Sequence, residues 1–241
     1  MELWLPLYPS EGHQNSMISR NSDNKHLHPQ QGFSLAELMV VVAIILMISA
    51  VAVPNVIRGM RLLRLRSTAT NAVGIVQQAR QLAARDNRNY QVVLDVVPGS
   101  VIPALCVDLN ADAACNRGEP LTPLATDVVV ANAAPINDNK LEAALAPGVP
   151  LGQINLIIST DRATAPTFNA RGLPCQAVLP AVPPNGITGC NQLVAPGGKQ
   201  LAFGFYLQST SQPVDGWAAV SVSPGGRIRR WAYDNIAQDW R

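Results

Sequence analysis

The stretch GFSLAELMVVVAIILMISAVAVP, residues 32–54, carries the decisive reading of this 241-residue chain. From Phe33 to Val53 it runs 21 residues with Glu37 as the only charge. At about 1.5 Å per residue, a helix of that length crosses the roughly 30 Å hydrocarbon core of a bilayer. A lone carboxylate inside such a helix is costly and points to a specific partner. Ahead of it, residues 1–32 are polar and hold no apolar stretch long enough for the core of a secretory signal. The segment is therefore not an ordinary cleaved leader. Pro54 closes the apolar run and is expected to kink a helix that continues past it.

Beyond Pro54 the pattern becomes one-sided. Leu62, Leu65, Ala69, Val73, Val76, Ala79 and Ala83 recur every three or four residues, which places them on one face of a helix. Arg61, Arg64, Gln77, Gln78 and Arg85 take the other positions, and Asp86-Asn87-Arg88-Asn89 reads as the stop. The period then shifts toward two. Strands are expected over 90–97, 151–159, 166–168, 201–207, 217–222 and 227–233, the last two joined by a Ser223-Pro224-Gly225-Gly226 hairpin turn. Residues 132–150 and 179–198, rich in Pro, Gly and Asn, read as loops. The expected fold class is α+β: a long N-terminal helix, transmembrane in its first half, packed through its second half on a C-terminal antiparallel β-sheet domain.

Composition narrows the function. Eighteen Lys and Arg face 16 Asp and Glu, a net charge of +2 that by itself demands neither nucleic acid nor anionic lipid. Cys106, Cys115, Cys175 and Cys190 form two locally spaced pairs, which suggests disulfides Cys106–Cys115 and Cys175–Cys190 and an oxidising compartment. Four cysteines allow three connectivities, and the rival is a zinc site of four thiolates, whose usual close ligand spacing is missing. His13, His26 and His28 all lie within residues 1–32, so the remainder has no His for a catalytic triad or an imidazole metal site. No phosphate-binding loop or dinucleotide fingerprint appears. An enzyme is not expected.

The polar leader ending in Gly32, then Phe33, then Glu37 at the fifth position counted from Phe33, resembles the class III signal of type IV prepilins and pseudopilins. The resemblance implies cleavage between Gly32 and Phe33 by a prepilin peptidase on the cytoplasmic side, and N-methylation of Phe33. It implies a pilin-like division into a cleaved leader 1–32, a transmembrane and assembly helix 33–54, an amphipathic second half 55–89 and a periplasmic β-rich domain 90–241. Glu37 and Pro54 are then the assembly residues, and the partners are other pilin or pseudopilin subunits, the prepilin peptidase and the inner membrane. A Glu at membrane depth is neutralised when the N-terminal ammonium of a neighbouring subunit stacks against it. Met17 would begin a shorter leader than Met1. Arg20 and Lys25 precede the span while Arg58, Arg61, Arg64 and Arg66 follow it, so loop charge alone leaves the orientation open, and the leader motif sets it. Cleavage would leave 209 residues, enough for one helix and one globular domain.

A second resemblance lies near the C-terminus. Phe168-x2-Arg171-Gly172-x-Pro174, followed by Trp217-x-Ala-Val220-x-Val222-x-Pro-x-Gly226-Arg227-x-Arg229, is similar to the GspH/FimT family of minor pilins and pseudopilins. It implies a minor type IV pilin in or at the tip of a pilus, or a GspH-type pseudopilin of a type II secretion system; residues 98–150 match the family poorly. Within it, Gly226-Arg227-Ile228-Arg229-Arg230 resembles a motif of DNA-binding FimT proteins, making DNA a possible partner through Arg227, Arg229 and Arg230. On a strand, Arg227 and Arg229 share a face and can bridge phosphates without reading bases. Arg171 and Lys199 extend that patch if the fold brings them near. Separately, Asp108, Asn110, Asp112 and Glu119 stand at positions 1, 3, 5 and 12 of a calcium-type loop, with Ala113 where position 6 wants Gly. The competing reading is an Asx-rich turn clipped by Cys106–Cys115.

Overall fold

The computed structural model describes residues 32–131, 141, 154–158, 164–178, 187, 189–191, 193–194, 199–214 and 216–241. Its first element is α1, Leu35–Asp86, 52 residues with Pro54 inside. The chain divides into two units, at Ile48 and Ser49. In the first unit the helix presents Leu, Val, Ile and Met on every side, and all of residues 35–48 are exposed. A helix apolar all round is a membrane span or a core helix, and among the described residues none of 35–48 is buried.

In the second unit Pro54 lacks the N–H that would bond four residues back, yet the helix continues; Asn55 donates its side-chain amide to the Val51 carbonyl at 3.1 Å. Burial begins at Leu65 and includes Thr68, Ala69, Ala72, Ile75, Val76, Ala79 and Ala83. Val73 is only partly buried, and the stripe is wider than the spacing alone suggests because Thr68, Ala72 and Ile75 join it. The helix stops where Asn87 turns left-handed at φ 52° and the Arg88 N–H reaches the Ala83 carbonyl at 3.2 Å. That pairing satisfies a terminal carbonyl that would otherwise lack a partner.

Two sheets receive the helix. In the first the order is β3 (Leu121–Pro123), β2 (Pro103–Asp108), β1 (Tyr90–Val96), β6 (Thr167–Phe168), β7 (Pro174–Val178), β8 (Gly189–Asn191). In the second it is β13 (Asp239–Trp240), β12 (Ile228–Asp234), β11 (Trp217–Val222), β10 (Lys199–Ser209), β4 (Val128–Ala131), with β5 (Ile154–Ile158) and β9 (Leu193–Val194) also on β10. All pairings are antiparallel except β5 with β10. The α+β arrangement is as expected: an apolar N-terminal helix followed by an antiparallel β domain.

Alternation along the strands sorts the second sheet into two faces. Leu201, Phe203, Phe205 and Leu207 of β10, with Ala218, Val220 and Val222 of β11, pack with the helix alanines and with Val92, Leu105, Val107 and Phe168 of the first sheet. Small residues on the helix let the backbone come close, and the large side chains come from the strands. The other face gathers Tyr206, Trp217, Trp231, Tyr233 and Trp240, with Leu141 against them. Tyr206 stacks on Trp240 at 5.5 Å, and the Trp231 indole donates to Ser221 Oγ at 2.7 Å.

The loop reading of 179–198 is corrected in part: β8 and β9 lie within it, as three- and two-residue strands that pair with β7 and β10, respectively. Strands β2, β3, β4, β7 and β13 also form where none was expected. Of the 132–150 loop only Leu141 lies within the described residues, and of the 151–159 strand only 154–158.

Candidate functional site

The junction residues Gly32 and Phe33 lie just ahead of α1, both exposed, whereas residues 1–31 lie outside the described residues. A Cβ placed on Gly32 meets nothing within 4 Å, so the fold of this chain does not require glycine there. Helix α1 opens with the Leu38 N–H bonded to the Ser34 carbonyl at 3.1 Å. Glu37 therefore sits in the first turn, three residues after Ser34. A carboxylate there complements the positive end of the helix dipole. This local role adds to the partner role inferred from its depth in the apolar run, and sequence reading for partners alone passes over it.

The three arginines of the basic motif have different surroundings. The turn before β12 is held by Gly226 N–H to Ser223 O at 2.8 Å and by Ser223 N–H to Arg227 O at 2.9 Å, with Gly226 at φ +78°. Arg227 precedes the strand and is exposed. Arg229 lies over the Trp231 ring, 5.6 Å from its centre, on the aromatic side of the sheet. Arg230 faces the helix instead, donating to Thr70 Oγ1 at 2.9 Å and to the Arg66 carbonyl at 3.5 Å. Arg171 does come close to the motif's glycine end, through Gly172, whose carbonyl lies 3.1 Å from where a Gly226 Cβ would be. Lys199 opens β10, at the opposite end of that strand from its pairing with Trp217.

The acidic loop closes on its own backbone. Buried Asp108 accepts from Asp112 N–H at 3.2 Å and Ala113 N–H at 2.8 Å. Asp112 accepts from Ala114 N–H at 2.9 Å and Asn116 Nδ2 at 2.8 Å. Glu119 accepts from Leu109 N–H at 2.9 Å and Asn116 N–H at 2.8 Å. Amide protons thus occupy the sides of these carboxylates where a cation would supply positive charge, and Asn110 donates its amide to Asp112 at 3.1 Å. Among the described residues no three of His, Cys, Asp and Glu converge as a metal set. Ala113 does adopt φ 64°, the left-handed backbone that position 6 of a calcium loop needs.

Burial pushes the Asp108 carboxyl up, against the hydrogen bond from Ala113. The native state then binds that proton more tightly than the unfolded chain, so this group's contribution to stability is lost as pH rises through its folded-state pKa. For Asp112 burial acts upward too, but hydrogen bonds from Ala114, Asn116 and Asn110 outweigh it and leave the carboxyl lowered. Its contribution is present above 3.8 and is lost as pH falls through the folded-state value.

The cysteines pair as Cys106–Cys115 and Cys175–Cys190, with Cα separations of 5.7 and 5.2 Å. The first bridge is fully buried with Val93 and Ala165 and clips the acidic loop to β2. The second spans β7 to β8.

An exposed, membrane-length helix with one acidic residue near its start, continuous with a disulfide-tied β domain, suits a single-pass, membrane-anchored chain. Comparison takes it one step further: residues 27–53 match the prokaryotic N-terminal methylation motif. This is the type IV pilin-like signal, which supports processing by a prepilin peptidase, assembly with other pilin subunits and anchorage in the inner membrane. The match ends at Val53, so it bears on the signal and the span and not on the β domain. No curated protein and no solved structure matches the chain.

Proposed function

We propose that the chain is a minor type IV pilin: processed at Gly32–Phe33, methylated on Phe33, held in the inner membrane with its β domain in the periplasm, then assembled into or at the tip of a pilus. The observation that carries this reading is the methylation motif coinciding with an exposed apolar helix whose single charge, Glu37, lies in the first turn. The methylated N-terminus of the next subunit remains a cation and supplies the partner that the carboxylate lacks in lipid. The two disulfides suit an oxidising periplasm. The minor-pilin grade rests on the GspH/FimT resemblance in 168–174 and 217–229, as does its rival, a GspH-type pseudopilin of a type II secretion system. A scaffold subunit, not an enzyme, is the reading in both.

Shearing of surface fibres separates the two. A minor pilin co-fractionates with sheared pili, and a pseudopilin stays with the envelope while its loss stops protein secretion. DNA contact through Arg227, Arg229 and Arg230 belongs to the pilus reading, as a weak, salt-sensitive interaction with phosphates. Calcium at 108–119 is a lesser reading, because the loop's oxygens already accept amide protons. Under the clipped-turn reading the melting temperature is the same in calcium as in chelator, and a rise in calcium would restore the ion.

A further inference from the structure

We propose that the cleft between helix residues 77–84 and the turns at Gly172 and Gly226 binds a phosphate group, with Arg80 and Arg171 as its cationic contacts. This deepens the DNA-contact reading by moving its centre from the β12 strand to the helix. Two turns from different sheets meet at Arg80. Gly172, at φ +69° between β6 and β7, is so close that an added Cβ would sit 3.2 Å from Arg80 Cγ and 3.3 Å from its Nε. Gly226, at φ +78° between β11 and β12, would place a Cβ 3.1 Å from the Gly172 carbonyl and 3.4 Å from Arg80 Cζ. Both positions adopt the left-handed backbone that favours glycine, and a Cβ at either would be tight, so the guanidinium lies close between two glycine turns. Arg80 Nη1 donates to the Gly226 carbonyl at 2.8 Å.

That bond uses one of five guanidinium donors. Among the described residues the ion pairs are Arg85–Asp86 and Arg241–Asp234, so Arg80 has no carboxylate partner there. Asp86, farther along the same helix, is taken by Arg85 and by the Tyr90 hydroxyl. The open cleft beside Arg80 has a volume of roughly 490 Å³ and is lined by Gln77, Gln81, Arg171, Gly172 and Ile228 as well. Its polar lining is two cations and two amides, with no acid. A half-buried, prepositioned guanidinium without a counter-charge, next to an exposed second one, favours a planar or tetrahedral oxyanion. Arg227 follows Gly226 directly and adds to the local positive field. By contrast Arg229 is engaged by Trp231 and Arg230 by the helix.

The test uses the full chain in an uncharged detergent, with inorganic phosphate and a short single-stranded oligonucleotide as probes. Binding is read by fluorescence anisotropy and by thermal shift. Arg171→Ala and Gln81→Glu alter exposed side chains of the cleft and should each weaken binding about tenfold. Arg171→Ala should also flatten the log–log salt dependence by about one unit. Arg117→Ala, at an exposed cation that does not line the cleft, should leave affinity within about twofold. Oligonucleotide binding that phosphate displaces identifies the diester as the source, and phosphate binding alone identifies the free anion. Either supports the cleft. Absence of binding by both probes overturns it, as does binding that ignores Arg171→Ala and Gln81→Glu. These variants should be processed and incorporated normally, so a failure here is separable from a failure of the pilin reading.

Discussion

Glu37→Leu should stay in the inner membrane and vanish from sheared fibres, with its fibre-to-membrane ratio falling at least about a hundredfold. The expected sign is what makes the result informative. For a helix that only anchors, replacing a carboxylate by Leu improves insertion, by up to about 3 kcal/mol at the bilayer centre and less near the helix end where Glu37 sits. For a helix that assembles, the same change leaves a neighbour's N-terminal cation unpaired in lipid, and breaking a buried pair from one side costs about 3–5 kcal/mol per contact. The two roles push in opposite directions. Glu37→Gln refines the comparison, because it keeps the size of the side chain and removes the charge. It should fail in assembly nearly as badly as Leu. Immunoblots of membrane and sheared fractions read the ratio; an unchanged ratio for both variants would return Glu37 to an incidental place in an anchor.

The second large effect lies in the β domain. Phe203 is fully buried in the middle of β10, the strand that pairs with β4, β5, β9 and β11, and it belongs to the cluster that includes the helix alanines. Phe203→Ala should cost about 3–5 kcal/mol, since alanines opposite cannot extend to fill the space. That is a large share of the roughly 5–15 kcal/mol that keeps a domain folded. The midpoint of urea denaturation checks it. Val129→Ala, on edge strand β4 and 40% exposed, is the control and should shift stability by less than about 0.5 kcal/mol. Equal effects at the two positions would mean that β10 is not the centre of the packing.

Legibility in the sequence followed the strength of the local signal. The span needed only length and apolarity, and the β11–β12 hairpin needed only alternation and a Ser-Pro-Gly-Gly turn. The helix stop was readable because Asn87 is one of the few residues that accept a left-handed backbone. Strand β2 was hidden because it begins at Pro103 and ends in Asp108, so its residues read as the start of an ion loop. Strand β4 is a short apolar run with no alternation to separate strand from loop. Strands β8 and β9 owe their existence to partners distant in sequence, a tertiary cause that local propensity does not carry. At the basic motif, alternation correctly separates Arg229 from Arg230, but it says nothing of which face meets the helix. Arg80 escaped notice altogether: its neighbours in sequence are ordinary, and only the meeting of the Gly172 and Gly226 turns gives it a place. Its one sequence signal was an unpaired basic residue on a helix that carries no acid between Glu37 and Asp86.

The central claim is that this chain is cut and methylated before it assembles. Intact-mass and N-terminal peptide analysis of the chain extracted from membranes of cells with an active prepilin peptidase tests it most directly. The expected product is a chain that begins at N-methylated Phe33, with residues 1–32 gone. A chain whose Gly32–Phe33 bond is intact in such cells would contradict it.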